Sequence, residues 1–178
     1  MTSPLTTAYN KAAQVRIMIF DVDGVLTDGK MQYSAEGEAL KSFYVHDGLG
    51  IQLLHKMGIA TAIISARQTP IVTKRAADLG ILHVYQGNHN KRAAFTQLLT
   101  DAGVTAEACG FIGDDVVDLP LFAKVGFAVS VPNGHPEVIS RADYVTKASG
   151  GVGAVREICD LILRAQNKYD AALASYLE

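Results

Sequence analysis

The stretch IMIFDVDGVLTDG, residues 17–29, decides the fold. It begins with four apolar residues, and Asp21, Asp23 and Asp28 follow together with two glycines. An unbroken apolar run is typical of a strand that is covered on both faces of a parallel sheet. Open α/β sheets bind ligands beyond the carboxyl ends of their strands. The aspartates therefore indicate a functional site at the end of this first strand.

Composition and length indicate an ordinary globular protein. The chain has 178 residues, 49% hydrophobic and 19% charged, which predicts one domain over residues 1–178 with an N-terminal extension of about residues 1–14. The formal net charge of −2 disfavours nucleic acid as a partner. Cys109 and Cys159 stand far apart without a metal-binding spacing, which favours a reducing compartment. The sequence has no signal-like segment and no membrane-length apolar run, so we expect a cytoplasmic location and no membrane partner.

Short apolar segments alternate with segments of helical periodicity, and this order predicts a doubly wound, Rossmann-like α/β fold with a parallel sheet. Five segments are predicted strands: RIMIF (16–20), IATAII (59–64), ILHVY (81–85), CGFIG (109–113) and GFAVSV (126–131).

Three helices are predicted between or after these strands. One is expected to begin at Thr69 and end at Gly80, and a second to run from Asn90 as its N-cap to Gly103. The segment 155–163 has the apolar spacing of a third helix.

The segment after the first strand does not have a helical pattern. Asp28-Gly29 is a hairpin turn signal between VLT and KMQY, and Glu36-Gly37 suggests a second turn. This pattern predicts a small β-hairpin flap over about residues 24–46 in place of a large cap domain. An isolated hairpin is marginally stable and has unpaired edges, so a homo-oligomer in which flaps pack together is expected.

Two groups of carboxylates are expected to meet at the carboxyl edge of the sheet. The first strand supplies Asp21 and Asp23, and CGFIG leads into Asp114, Asp115 and Asp118. Like charges in a partly dry site repel, and a hard cation such as Mg²⁺ relieves that repulsion. The alternative is that aspartates simply favour turns and helix caps, with Asp118 capping a helix that begins at the next residue.

The same edge is expected to carry groups that bind an anion. Lys91 and Arg92 lie in the first turn of a predicted helix, where cations oppose the macrodipole, so at least one of them has another task. Ser65 ends another strand and offers a hydroxyl, with Arg67 close behind. Carboxylates, a hydroxyl and a lysine together fit phosphoryl transfer.

These residues resemble the motifs of the haloacid dehalogenase superfamily of phosphatases. In this chain, DVDGVLTD (21–28) resembles the family's first motif and Ser65 in IISAR resembles the second. Lys91 corresponds to the third motif and GDDVVD (113–118) to the fourth. The resemblance covers about residues 15–164 with the motifs in the family's order.

The resemblance implies a role for each matching residue. Asp21 would be the nucleophile and Asp23 the general acid and base. Ser65 and Lys91 would bind the transferring phosphoryl group. Mg²⁺ would be held by the Asp21 carboxylate, the Asp23 backbone carbonyl and the Asp114 carboxylate.

Further roles are implied outside this catalytic group. Asp115 and Asp118 would orient water on the metal or orient the catalytic lysine. Arg67 and His46 would contact the substrate. Longer segments such as VHDGLGIQLL (45–54) resemble a small-capped, tetrameric branch that hydrolyses an eight-carbon sugar acid phosphate in lipopolysaccharide synthesis.

The chain departs from the family's pattern at two places. Ser65-Ala66-Arg67 stands where many relatives have Thr-Gly-Arg, and His46 stands where relatives often carry Arg. Because of the second departure, the motifs do not fix which sugar acid phosphate is the substrate. A sialic acid 9-phosphate is an alternative.

Two alternative functions belong to other classes of protein. A phospho-accepting signalling module is less consistent with the chain, because its acceptor aspartate would end the third strand, where Gln86-Gly87 stand. An inactive scaffold that uses the flap only to assemble would not need Asp21, Asp23, Lys91 and Asp114 together.

Overall fold

The computed structural model of the protein describes residues 4–178. It contains eight strands, which are, in chain order, β1 (Ile17–Phe20), β2 (Gln32–Ser34), β3 (Gly37–Leu40), β4 (Ala60–Ile64), β5 (His83–Tyr85), β6 (Cys109–Ile112), β7 (Phe127–Ser130) and β8 (Tyr144–Val145). Six of them form one sheet in the order β5-β4-β1-β6-β7-β8, and every adjacent pair in it is parallel. The predicted doubly wound parallel sheet and its five strands are therefore confirmed. The two-residue strand β8 was not predicted because it is too short to show a pattern.

The central position of β1 gathers the chemistry-bearing residues. Phe20, the last residue of β1, pairs with Ile63 of β4 on one side and with Ile112 of β6 on the other. Because the three strands end at nearly the same level, the residues that follow them meet at one edge of the sheet.

Eight α-helices accompany the strands in the described residues, and their bounds are α1 (Pro4–Ala12), α2 (Val45–Lys56), α3 (Pro70–Leu79), α4 (Lys91–Ala102), α5 (Leu119–Phe122), α6 (Pro136–Ile139), α7 (Ala154–Ala165) and α8 (Tyr169–Leu173). Met18 and Phe20 of β1 pack with α1, α2, α3 and α7, whereas Ile17 and Ile19 pack with α4, α5 and α6. Both faces of the sheet are thus covered, which explains why the strands are apolar without alternation.

The helix ends agree with three of the four predicted signals. The Thr69 hydroxyl accepts a hydrogen bond from the Ile71 backbone N–H at 3.3 Å, and Gly80 and Gly103 end their helices with left-handed φ values of 74° and 63°. Asn90 is the N-cap residue of α4, as predicted, but the side-chain bond expected of a cap is not formed. Its ψ of 85° departs from the 140° of Thr69.

The flap is present, but its predicted turns need correction. The hairpin joins β2 to β3, so only the Glu36-Gly37 signal lies at its tip. VLT is not a strand, because residues 22–26 form a wide turn whose end is tied by the Thr27 hydroxyl to the N–H groups of Gly24 and Gly29. Asp28-Gly29 therefore turns the chain from this wide turn into the flap. The predicted flap end at residue 46 is also too late, since α2 begins at Val45.

The predicted N-terminal extension is largely helical. Its first three residues lie outside the described part of the chain, and α1 buries Ala8 and Ala12 against the core. Cys109 and Cys159 are buried free thiols. Across residues 4–178, no helix is both long and apolar enough to span a bilayer.

Candidate active site

A cavity of about 250 Å³, lined mostly by polar and charged residues, lies at the carboxyl edge of the sheet, at the end of β1. Its lining contains most of the residues that the sequence assigned to the site. The complete lining is Asp21, Asp23, Gly29, Ser65, Ala66, Arg67, Lys91, Asp114, Asp115 and Val117. A larger hollow of about 380 Å³ lies at the opposite edge, near His55 and Leu82, but its lining is mostly apolar and includes no carboxylate.

The centre of the cavity is a buried ammonium between two carboxylates. Lys91 is 2% exposed, and its Nζ lies 2.8 Å from Asp21 Oδ1 and 2.5 Å from Asp118 Oδ1. The predicted second task of a cation in this first helical turn is thus visible as contact with both acids. Arg92, the next residue, is exposed.

Asp118 is fully buried and organises the loop after β6. Its Oδ2 accepts hydrogen bonds from the backbone N–H groups of Asp114 at 2.9 Å and Asp115 at 3.2 Å, while its Oδ1 binds Lys91. A helix does begin at Leu119, but the Asp118 side chain does not cap it. The alternative role of Asp118 as the cap of that helix is therefore wrong, because its carboxylate points to Lys91 and to the preceding loop.

Burial and repulsion between the carboxylates raise the pKa values of two acids of the cavity. Burial, and next the Asp118 charge, raises the pKa of Asp21 to about 7, although the Lys91 ammonium opposes the shift. Burial together with Asp21, Asp118 and Asp115 raises the pKa of Asp114 to about 7 as well. Burial lowers the pKa of Lys91, but Asp21 and Asp118 outweigh it and the net pKa is raised. The cavity therefore holds more negative charge than Lys91 alone neutralises.

The donor set at this cluster fits a hard divalent cation. Oxygen atoms of Asp21, Asp114 and Asp118 lie within 4.8 Å of one another. Because both oxygens of Asp118 already accept hydrogen bonds from Lys91 or the backbone, Asp21 and Asp114 are better suited to bind the metal. Gly24 lies so close to Asp114 that a Cβ there would stand 2.0 Å from Asp114 Oδ2, so the Asp23–Gly24 backbone reaches the same place. Carboxylate and carbonyl oxygens are the ligands that Mg²⁺ prefers.

A second wall of the cavity is built by the loop after β4. Ser65 is 3% exposed, and its hydroxyl accepts a hydrogen bond from the Arg67 backbone N–H at 3.3 Å. Arg67 reaches toward the flap, where its Nη2 donates to the Tyr33 hydroxyl at 2.7 Å, and its Nε lies 3.9 Å from Asp23 Oδ2. The structure thus places Ser65 and Arg67 on the same cavity as Asp21.

Asp23 is paired with a lysine that the sequence analysis did not identify. Lys41 follows strand β3 of the flap, and its Nζ contacts Asp23 Oδ1 and lies 2.7 Å from Glu38 Oε1. No local pattern marks Lys41, because its partner is 18 residues away and the contact depends on the path of the flap. Tyr33 was missed for the same reason, while the Asp-Gly pair at residues 23–24 was a usable signal for the close approach to Asp114.

Two of the predicted site residues lie apart from the central cluster. Asp115 is exposed at the rim of the cavity, and its Oδ1 accepts a hydrogen bond from the Val116 N–H at 2.7 Å. His46 lies in the first turn of α2, exposed and edge-on to Tyr44 at 4.9 Å between ring centroids, and it does not line the cavity. Within one chain, His46 therefore contributes nothing to the cavity wall.

The fold and the order of these groups define a class of protein. The sequence pattern of the haloacid dehalogenase-like hydrolases matches residues 68–158. Together with the close relatives below, this shows that the chain belongs to the haloacid dehalogenase-like hydrolase family, and the resemblance stated from the motifs is confirmed.

Particular members of the family are similar over nearly the whole chain. The 3-deoxy-D-manno-octulosonate 8-phosphate phosphatase of Salmonella typhi is 48% identical over 167 residues, which are 94% of this chain and 89% of the relative. The enzyme of the same name from Escherichia coli K12 is 49% identical over 162 residues, covering 91% and 86%. The crystal structure of the Moraxella catarrhalis phosphatase of that name, in complex with magnesium ion, phosphate ion and a KDO molecule, superposes with a TM-score of 0.92 at 45% identity, covering 95% of this chain and 97% of that one.

Proposed function

We propose that the protein is a Mg²⁺-dependent phosphomonoesterase that hydrolyses 3-deoxy-D-manno-octulosonate 8-phosphate to the free sugar acid and phosphate. The observation that carries the proposal is the contact of Lys91 with Asp21 at the end of the central strand. A cation held against a carboxylate nucleophile is suited to receive a phosphoryl group between them, because the ammonium offsets charge on both.

The proposed reaction proceeds in two displacements at phosphorus. In the first, an Asp21 carboxylate oxygen bonds to phosphorus and the bond from phosphorus to the sugar oxygen breaks, while the Asp23 carboxylic acid donates its proton to that oxygen. In the second, Asp23 as a carboxylate accepts a proton from water, whose oxygen attacks phosphorus and releases Asp21. Ser65 and Lys91 line the cavity where they would bind the phosphoryl oxygens in both steps.

Mg²⁺ is the proposed cofactor, held by Asp21, Asp114 and the backbone carbonyl of Asp23. Its role when bound would be to neutralise the charge of the carboxylates and of the phosphoryl oxygens. The two carboxyl groups whose pKa burial raises to about 7 support this assignment, since a cation at the cluster would favour their ionised forms.

The choice of substrate rests on the relatives, whose names specify a KDO 8-phosphate phosphatase, and on the cationic wall at Arg67. A sugar acid brings a carboxylate as well as a phosphate, and Arg67 is a suitable partner for a carboxylate. Another sugar acid phosphate, such as a sialic acid 9-phosphate, is the alternative, because His46 lies outside the cavity of a single chain.

We also propose that the protein assembles as a homotetramer in the cytoplasm. The flap is a separate two-stranded sheet with exposed Tyr33 and Leu40, so its edges and its apolar side chains are available to a second copy. The buried free thiols Cys109 and Cys159 suit a reducing compartment.

A phosphate-release assay over a panel of sugar phosphates, with Mg²⁺ or with EDTA, tests the proposed function. We expect the fastest release from 3-deoxy-D-manno-octulosonate 8-phosphate, slower release from a sialic acid 9-phosphate and from a neutral hexose phosphate, and loss of all release in EDTA. The Asp21→Asn variant is the matched control and should be inactive in every arm. A rate that EDTA leaves unchanged would refute the metal assignment, and a preference for the neutral hexose phosphate would refute the substrate assignment.

A further inference from the structure

The flap carries one lysine whose side chain is almost completely buried. The Lys41 side chain is 1% exposed, and its ammonium contacts Asp23 of the wide turn and Glu38 of β3. Lysines are rarely buried to this extent unless they are paired, because an unpaired ammonium loses its hydration. Desolvation lowers the pKa of Lys41, yet the two carboxylates outweigh it and raise the net pKa, so the group remains a cation.

The position of Lys41 in the chain connects the flap to the reacting groups. It follows directly after β3, where the hairpin returns to the domain, and its partner Asp23 lies two residues after Asp21. Two cations of the described residues lie near the Asp23 carboxylate. Lys41 contacts it directly, whereas Arg67 Nε lies 3.9 Å away and the Arg67 side chain is 44% exposed. Lys41 is therefore the group that fixes the orientation of the Asp23 side chain.

We propose that Lys41 is a positioning residue that aims the carboxyl group of Asp23 at the oxygen of the leaving alcohol. This inference rests on the proposed function, in which Asp23 is the general acid. A carboxyl group that is not held in one rotamer would point away from that oxygen part of the time. Misplacement of a catalytic group by about 1 Å can lower the rate about a hundredfold. Lys41 acts through Asp23 and takes no part in the bonds that form or break. Glu38, on the other side of the ammonium, holds Lys41 in place.

The dependence of rate on the leaving group tests this role. A sugar alkoxide is a poor leaving group and needs the proton from Asp23, whereas p-nitrophenolate leaves without one. We expect Lys41→Met to lower kcat for the sugar acid phosphate by about tenfold to a hundredfold, with KM little changed. The burst rate of p-nitrophenolate release, which precedes hydrolysis of the aspartyl-phosphate and needs no proton from Asp23, should change by much less. Lys41→Arg keeps a cation beside Asp23 and should restore most of the lost kcat.

Two further variants separate positioning from general loss of structure. Lys41→Met/Glu38→Gln removes the lysine without leaving Glu38 as an unpaired acid, and it should show the same selective loss even if the single variant folds poorly. Lys74→Met removes an exposed lysine from its 2.8 Å pair with Asp78 and should leave both rates unchanged.

Three results would overturn the inference: a loss in the p-nitrophenolate burst rate as large as the loss in kcat for the sugar acid phosphate, no loss with either ester, or a rise in KM alone, which would make Lys41 a substrate contact. If the wild-type enzyme releases no phosphate from either ester, the proposed function itself fails and the inference fails with it.

Discussion

Lys91 Nζ lies 2.8 Å from Asp21 Oδ1, where the first turn of α4 meets the end of β1. The helix places a cation at its own N-terminus, which is unfavourable for the helix by about 0.3–1 kcal/mol. The contact with two buried carboxylates offsets this cost. A local arrangement that is poor for the helix therefore serves the site that we propose for phosphoryl transfer.

Removing Lys91 should damage both stability and activity. Lys91→Met leaves Asp21 and Asp118 without their cation. Removing one partner of a buried ion pair lowers the free energy of unfolding by about 3–5 kcal/mol. We expect urea denaturation to show a loss of this size and phosphate release to fall below detection.

A double variant separates the two effects of that substitution. Lys91→Met/Asp118→Asn removes one of the two carboxylates that the single substitution leaves without a cation. It should recover part of the lost stability and none of the activity. Recovery of phosphate release in the double variant would show that Lys91 only neutralises Asp118 and does not bind the phosphoryl group.

The hydrogen bond from Arg67 to the Tyr33 hydroxyl should set the preference for an acidic substrate. Tyr33→Phe removes only the acceptor at 2.7 Å, so Arg67 is released from the flap. We expect KM for the sugar acid phosphate to rise by up to about tenfold, because a hydrogen bond to a charged group contributes about 1.5–3 kcal/mol and this one is partly exposed. Steady-state kinetics with p-nitrophenyl phosphate should show no change, since that ester has no carboxylate.

Tyr85→Phe is the matched control for this substitution. It removes an exposed hydrogen bond of 2.6 Å from Tyr85 to Asp101, and that hydroxyl is not part of the cavity lining. Both esters should be turned over as in the wild type. An equal rise in KM for both esters in Tyr33→Phe would contradict a role of Arg67 in selecting the sugar acid.

Asp47 should make stability depend on pH, because this residue of the first turn of α2 places a buried carboxyl group against the start of α7. It is 2% exposed, and its Oδ1 accepts a hydrogen bond from the Arg156 N–H at 2.8 Å in place of a side-chain cap at Gly153. Burial raises its pKa from 3.8 to about 6, although the N–H groups of Arg156 and Gly153 oppose the shift. The folded state thus disfavours the ionised form relative to the unfolded state.

The sign of this effect follows from the raised pKa. Above pH 6 the group is ionised in both states and lowers the free energy of unfolding by about 3 kcal/mol, a penalty that disappears as the pH falls from 6 to below 4. Asp47→Asn should therefore raise Tm relative to the wild type at pH 8, and the difference should vanish near pH 4. Asp170→Asn, at an exposed position of α8, is the control. Parallel Tm curves for wild type and Asp47→Asn between pH 4 and 8 would contradict the argument.

Much of the fold could be predicted because its signals are local. The apolar run at residues 17–20, the N-cap at Thr69 and the glycines at the ends of α3 and α4 each act within one element. The placement of Asp21, Ser65 and Asp114 on one edge followed from a single rule about parallel sheets.

The flap and its contacts could not be predicted in the same way. The path of residues 22–31 depends on Thr27 binding two backbone N–H groups, and the role of Lys41 depends on where the returning hairpin lies over Asp23. Such contacts between residues far apart in sequence leave no periodic pattern. Asp118 was ambiguous for a related reason, since a buried acid and a helix cap look alike until Lys91 is placed beside it.

Trapping of a phosphorylated protein tests the central claim most directly. In the Asp23→Asn variant, p-nitrophenyl phosphate with Mg²⁺ should still phosphorylate Asp21, because its leaving group needs no proton, while hydrolysis of the aspartyl-phosphate should be slow. After an acid quench, we expect mass spectrometry to find one phosphoryl group on the peptide that carries Asp21, and none in Asp21→Asn/Asp23→Asn. A phosphoryl group on another residue, or continued phosphate release by the double variant, would contradict the account.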